Sequence, residues 1–94
     1  MARPITQRLK RKTETLREAF GTAVTYLRVK RNWSQEQVAQ KSGYVKQSIG
    51  NVERGVVNPS FPLVVALSDM FEMPVSQLFA RAERLHRKNA TKAK

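Results

Sequence analysis

Residues 33–55, WSQEQVAQKSGYVKQSIGNVERG, contain the start and end signals of two short helices. Ser34 is a favourable N-cap, and Gln37 three residues later completes a capping box. Gly43 supplies the positive φ that a sharp turn needs, and Gly55 ends the second helix. The predicted bounds are 35–42 and 45–54. Two short helices joined by a tight glycine-containing turn form a helix-turn-helix, which we place at residues 34–54.

The second of these helices has one apolar and one polar face. Val45, Ile49 and Val52 recur at three- and four-residue steps. At 100° per residue the opposite face carries Gln47, Gly50, Asn51 and Arg54, with Lys46 and Ser48 beside them. Amide side chains pair with adenine, and basic side chains with guanine, in the major groove. The polar face is therefore a candidate surface for base contacts, or else an ordinary solvated helix face.

Apolar periodicity predicts three more helices around this pair, so the chain is predicted to be all-α with one small core. Their expected ranges are roughly 15–31, 61–71 and Val75–Arg87. Thr15 and Glu18 have the spacing of a capping box for the first of them, and Ser60 is a good N-cap for the second. The pattern does not decide whether Pro4, Ile5 and Leu9 extend the first helix or form a separate turn.

Positive charge is concentrated at the two ends of the chain. There are 18 Lys and Arg against 7 Asp and Glu, a net charge of +11. Residues 1–12 hold five bases and no acid, and residues 81–94 hold six bases and one acid. Such ends favour polyanions, although a solvated tail has the same composition. We divide the chain into a basic arm (1–12), a domain (13–88) and a basic tail (89–94) that is expected to be unstructured.

Composition disfavours several other classes. The chain has no cysteine, and its single histidine, His86, is expected to be an exposed tail residue. There is no paired carboxylate motif, nucleophile constellation or phosphate loop, so we expect no enzyme, cofactor or metal site. No apolar run approaches about 18 residues, and no signal peptide is evident. The sequence therefore predicts a cytoplasmic protein with no membrane partner, associated with the nucleoid only through DNA binding.

Several short motifs, taken together, resemble the phage repressor and Cro (Xre-type) family of helix-turn-helix proteins. They are Ser34–Ala39, Ser42-Gly43, Ser48-Ile49, Val52–Gly55, Asn58–Ser60, Ala66-Leu67 and Leu78-Phe79. The resemblance covers about residues 16–80. It implies a compact five-helix lambda-repressor-like DNA-binding domain. Members of that family bind operators, usually as dimers on palindromic half-sites.

The resemblance also implies roles for individual residues. The expected base contacts are Lys46, Gln47, Ser48 and Asn51. Gln35 and Asn58 match phosphate contacts, Gln35 also bracing the recognition helix, and we add Tyr44 and Arg54 as phosphate candidates. Arg28 and Glu53 match a largely buried ion pair between helices 1 and 3, for which a loose surface pair is the alternative.

Two positions depart from the family pattern. Gly50 lies in the middle of the recognition helix, where the family usually has a side chain; it either permits close backbone approach to DNA or is simply tolerated. Val75 stands where a polar N-cap is common. The last helix has an apolar stripe formed by Val75, Leu78, Phe79, Ala82 and Leu85. This stripe is expected first of all to pack in the core. Because it extends beyond the minimal domain of the family, it is also a candidate dimer contact.

The sequence therefore favours a bacterial or phage sequence-specific transcriptional regulator, a repressor or autoregulator. It is expected to bind a palindromic operator in double-stranded DNA as a homodimer. The alternatives are an antitoxin that also binds a toxin, or a protein-interaction module on the same fold. Toxin and polymerase are the protein partners considered.

Overall fold

Five helices follow one another along the part of the chain that the structure, a computed structural model, describes: residues 3–92, with side chains from 6 to 88. They are α1 (Arg3–Lys30), α2 (Gln35–Ser42), α3 (Lys46–Arg54), α4 (Phe61–Met70) and α5 (Val75–Lys92). The prediction of an all-α, five-helix fold is confirmed. α2 and α3 form the helix-turn-helix.

The caps that the sequence predicts for α2 and α4 form in the structure. Ser34 Oγ accepts from the Gln37 amide at 3.0 Å, and the Ser34 amide donates to Gln37 Oε1 at 2.7 Å. Gly43 is left-handed, with φ +81°, and its amide donates to the Ala39 carbonyl. Ser60 caps α4 by accepting from the Leu63 amide. Because the left-handed Gly43 ends α2 and α3 begins at Lys46, the turn between the two helices is sharp.

The first and last helices are longer than predicted. α1 begins at Arg3, so the upstream residues extend the first helix and the capping box at Thr15 is wrong. Thr15 Oγ1 instead donates within its helix and lies 2.8 Å from His86 Nε2, so His86 is half-buried rather than an exposed tail residue. α5 continues to Lys92, which makes the unstructured tail wrong for residues 89–92; 93–94 lie outside the described residues.

α1 is the central element of the packing. Thr15, near the middle of α1, contacts His86, and Tyr26, further along α1, contacts Arg81, so α1 and α5 run antiparallel. α3 crosses α1 at Gly21, where the backbones come close. The buried core contains Phe20, Val24, Leu27, Val38, Ala39, Ile49, Val52, Leu63, Val64, Leu67, Phe71, Leu78 and Ala82. All five helices therefore share one apolar core.

Among the described residues, no single helix is long and apolar enough to cross a membrane. The segments Phe61–Met70 and Val75–Lys88 meet the length and composition criteria only as a pair, and the chain bends by 97° between them.

Candidate nucleic-acid interface

α3 presents a polar face to solvent because its apolar face is buried. Ile49 and Val52 are buried in the core. On the other side Lys46, Gln47 and Arg54 are exposed, while Ser48 and Asn51 are half-buried. All four predicted base-contact residues therefore belong to one short helix. Their side chains include amide, ammonium and hydroxyl groups, which is the chemistry that contacts base edges.

A network of charged hydrogen bonds holds α3 against α1 and the start of α2. Arg28 donates from Nε to Glu53 Oε2 at 2.7 Å and from Nη2 to Glu53 Oε1 at 3.1 Å. Gln35 Nε2 donates to Glu53 Oε1 at 2.9 Å. The side chains of Arg28 and Glu53 are only 16% and 6% exposed. The pair is therefore largely buried and bidentate, and Gln35 braces α3 through it.

Arg54 fills the space that Gly50 leaves on the polar face. A Cβ at Gly50 would lie 3.1 Å from Arg54 Nη1 and 3.7 Å from Gln35 Oε1, so these side chains cover the glycine. Arg54 Nη2 also donates to Asn51 Oδ1. The structure thus gives Gly50 a role within the protein, since the guanidinium lies where a larger side chain would project. The hydrogen bond from Arg54 to Asn51 also couples a phosphate candidate to a base-contact candidate.

Arg17 is a residue of this region that the sequence analysis missed. Its Nε donates to the Gly55 carbonyl at 2.8 Å, and its Nη1 donates to Asn58 Oδ1 at 3.2 Å. The guanidinium therefore joins α1 to the end of α3 and to the exposed loop that holds the predicted phosphate contact. Neither the charge nor the helical position of Arg17 distinguishes it from its basic neighbours, so no sequence signal pointed to it.

Tyr44 lies in the turn, half-buried and packed against the core. Its aromatic ring therefore supports the turn. Contact between Tyr44 and phosphate stays a prediction, as it does for Gln35, Arg54 and Asn58.

The candidate dimer stripe is divided by the packing. Leu78 and Ala82 are buried in the core of their own chain, so including them as dimer contacts was wrong. Val75 and Leu85 are half-buried, and Phe79 is 41% exposed. The reason is helical periodicity: one side of α5 packs on α1 and α4, and only the neighbouring side keeps solvent-accessible apolar surface.

In the part of the chain whose side chains are described, no three His, Asp or Glu residues come together in a group that would hold a metal ion.

A helix-turn-helix with a polar, exposed second helix defines a class of DNA-binding proteins. Residues 24–78 match the family model described as Helix-turn-helix, which is more than half of the chain. The chain belongs to this family, in its Cro/C1 (Xre-type) form, which is a family of DNA-binding transcriptional regulators.

Two curated relatives are regulators. The chain is 37% identical over 66 residues to the competence pilus inhibition repressor of Acinetobacter baylyi, covering 70% of this chain and 60% of that protein. It is 31% identical over 61 residues to the HTH-type transcriptional regulator AnsR of Bacillus subtilis, covering 65% and 53%. The chain thus spans little more than half the length of these relatives.

Solved structures share the fold. The clp gene regulator ClgR of Corynebacterium glutamicum matches with a TM-score of 0.78 at 22% identity, covering 83% of each chain. The restriction-modification controller protein C.AhdI of Aeromonas hydrophila matches with a TM-score of 0.62 at 31% identity, covering 65% of this chain and 92% of its own.

Proposed function

We propose that this protein is a sequence-specific transcriptional repressor that binds an inverted-repeat operator as a homodimer. The observation that carries the proposal is the presentation of α3. Its polar side chains face solvent while a buried network anchors its other side. A recognition helix needs both properties, because base contacts require side chains held in a fixed register against the duplex.

Base contacts are assigned to Lys46, Gln47, Ser48 and Asn51. Gln47 is the strongest assignment because it is exposed near the N-terminal end of α3, the end that contacts base edges in helix-turn-helix proteins. Phosphate contacts are assigned to Gln35, Tyr44, Arg54 and Asn58. Arg17, through its hydrogen bond to Asn58, would add positive charge at the same loop.

An apolar groove supports the dimer. It lies between α1, α4 and α5, and its lining includes Leu16, Phe20, Phe61, Val64 and Phe79. Phe61 is 73% exposed and Phe79 is 41% exposed, although both are large apolar side chains. Burying such surface against a second copy is favourable at about 25 cal/mol per Å². A dimer would place two copies of α3 about 34 Å apart, in successive major grooves.

Repression is supported by the kind of relatives the chain has. The Acinetobacter baylyi protein is a repressor, and occupancy of an operator that overlaps a promoter would block polymerase.

Selection of bound sequences from a random duplex library tests the proposal. Enrichment of an inverted repeat, with one dimer per site in sedimentation, is the expected result. Enrichment of a single half-site would contradict the dimer. The absence of any enriched sequence would contradict sequence-specific regulation and direct attention to a partner-dependent antitoxin or an interaction module.

A further inference from the structure

The two helices that carry the basic segments, α1 and α5, contact each other at Thr15 and His86. Thr15 Oγ1 lies 2.8 Å from His86 Nε2, and α1 and α5 run antiparallel from this contact towards residue 3 and residue 92. The residues of α1 before Thr15 and those of α5 after His86 therefore leave this contact in the same general direction. Residues 6–14 and 87–88 are all exposed, so two segments about seventy positions apart in the sequence project from the domain near one another.

The exposed bases of this projection form what we call the basic helix pair: Arg8, Lys10, Arg11, Lys12, Arg84, Arg87 and Lys88. All seven lie within about two helical turns, or roughly 10 Å, of the Thr15–His86 contact along their helices. Residues 8–15 and 83–88 contain only two carboxylates, those of Glu14 and Glu83. The pair is thus strongly positive over a short length.

The basic helix pair continues the candidate DNA interface. Lys10 precedes Arg17 by seven residues, which is two turns, so both lie on one face of α1. Arg17 itself donates to Asn58, the phosphate candidate in the loop after α3. A line of groups suited to phosphate therefore runs from that loop along α1 for about 10 Å.

We propose that the basic helix pair binds the phosphate backbone of the duplex in addition to the contacts assigned to α3. The proposal rests on the proposed operator binding and adds phosphate contacts to it. Cations held on helices have fixed spacing, and duplex phosphates repeat at about 3.4 Å along each strand. The contact is a rigid one, since Arg3–Lys30 is one helix and no extended arm between residues 3 and 30 is available to enter a groove.

The contact adds affinity but carries no sequence preference. Phosphate contacts position a protein on DNA without distinguishing bases. The basic helix pair is therefore expected to matter for the affinity and its salt dependence, and not for the choice of operator.

Two double variants test the proposal in the full chain. K12Q/K88Q removes one cation from each helix of the basic helix pair. K30Q/K41Q is the matched control: it also removes two exposed lysines, but Lys30 lies about 22 Å along α1 from Thr15 and Lys41 lies in α2. Each protein is titrated by fluorescence anisotropy with the selected operator, alone and extended by random sequence at both ends, at several salt concentrations.

Between 50 and 200 mM salt, wild type is expected to lose on the order of a hundredfold more affinity for the extended duplex than K12Q/K88Q does, because each lost phosphate contact lowers the salt slope by about 0.9 and a dimer loses four of them. The control should follow wild type, and K12Q/K88Q should keep the preference for operator over scrambled DNA. An equal salt slope in K12Q/K88Q and wild type would overturn the proposal and make an acidic protein surface the better partner. An equal loss in both double variants would also overturn it.

If the proposed function is wrong, the titrations give a different result. Wild type would then show no preference for the operator over scrambled DNA of the same length. The comparison of the two double variants on extended duplexes would still report whether the basic helix pair contacts phosphate.

Discussion

The backbone of Gly21 in α1 lies directly against the carbonyl of Val52 in α3: a Cβ at Gly21 would come within 2.3 Å of the Val52 carbonyl oxygen and 2.6 Å of the Glu53 carbonyl oxygen. Both atoms belong to the backbone of α3, so no side-chain rotation relieves the contact. The position of α3 on the domain therefore depends on the absence of a side chain at residue 21.

Gly21→Ala is expected to destabilise the fold by about 1–3 kcal/mol, the usual range for overpacking, despite the better helix propensity of alanine. Gly50→Ala is the matched control, since Gly50 is also a helical glycine but its near neighbour is the flexible end of Arg54. The control should be neutral, or more stable by up to about 1 kcal/mol. Urea unfolding measures both variants; similar effects would contradict the role of close packing at Gly21.

Arg28 and Glu53 are expected to be coupled in their effect on the free energy of unfolding. Glu53→Leu leaves the largely buried Arg28 guanidinium without its carboxylate and is expected to cost about 3–5 kcal/mol. Arg28→Met/Glu53→Leu removes both charges and should be clearly more stable than the sum of the single variants predicts. Strict additivity in a double-mutant cycle of urea unfolding free energies would show that the two side chains do not interact.

Gln47→Ala is predicted to weaken binding to the selected operator by roughly 1–3 kcal/mol and to relax its specificity at one base pair. The reason is that an amide side chain contributes paired hydrogen bonds to one base. Gln77→Ala, which truncates another exposed glutamine, in α5, is the control and should bind as wild type does. Equal losses on operator and scrambled DNA in the Gln47 variant would rule out a base contact.

Arg54→Gln is predicted to act differently from Gln47→Ala. As a phosphate contact, Arg54 should contribute equally on all sequences, so its removal lowers the salt slope by about 1 for each protomer, or about 2 for the dimer, and leaves specificity intact. Since Arg54 also donates to Asn51, a changed preference at one base pair would instead show that it acts by positioning Asn51. Anisotropy titrations against single-base operator variants separate the two results.

The exposed ring of Phe61 provides the test of the dimer. Phe61→Ser is expected to produce monomers at micromolar concentration with little change in unfolding free energy, because this ring is 73% exposed in the single chain. Val29→Ser, at another exposed apolar residue in α1, should remain dimeric. Sedimentation velocity provides the measurement, and a Phe61→Ser protein that sediments with wild type would place the dimer interface elsewhere.

Much of the fold was predictable because its signals are local. The capping box of Ser34 and Gln37 and the left-handed Gly43 act within one to four residues, so the bounds of α2 follow from the sequence, and those of α3 to within one residue. The apolar side of α3 likewise follows from helical periodicity, which also assigns Gln47 and Asn51 to the opposite face. The family motifs depend on the same short segments.

Other features depend on how distant segments pack, and only the tertiary structure decided them. The close approach at Gly21, the bonds from Arg17 to Gly55 and Asn58, and the burial of Leu78 and Ala82 all join residues far apart in the chain. The sequence showed two basic ends, but not that antiparallel packing of α1 and α5 brings them together. Periodicity defines the faces of one helix, whereas the crossing of two helices is set by the fit of their side chains in the shared core.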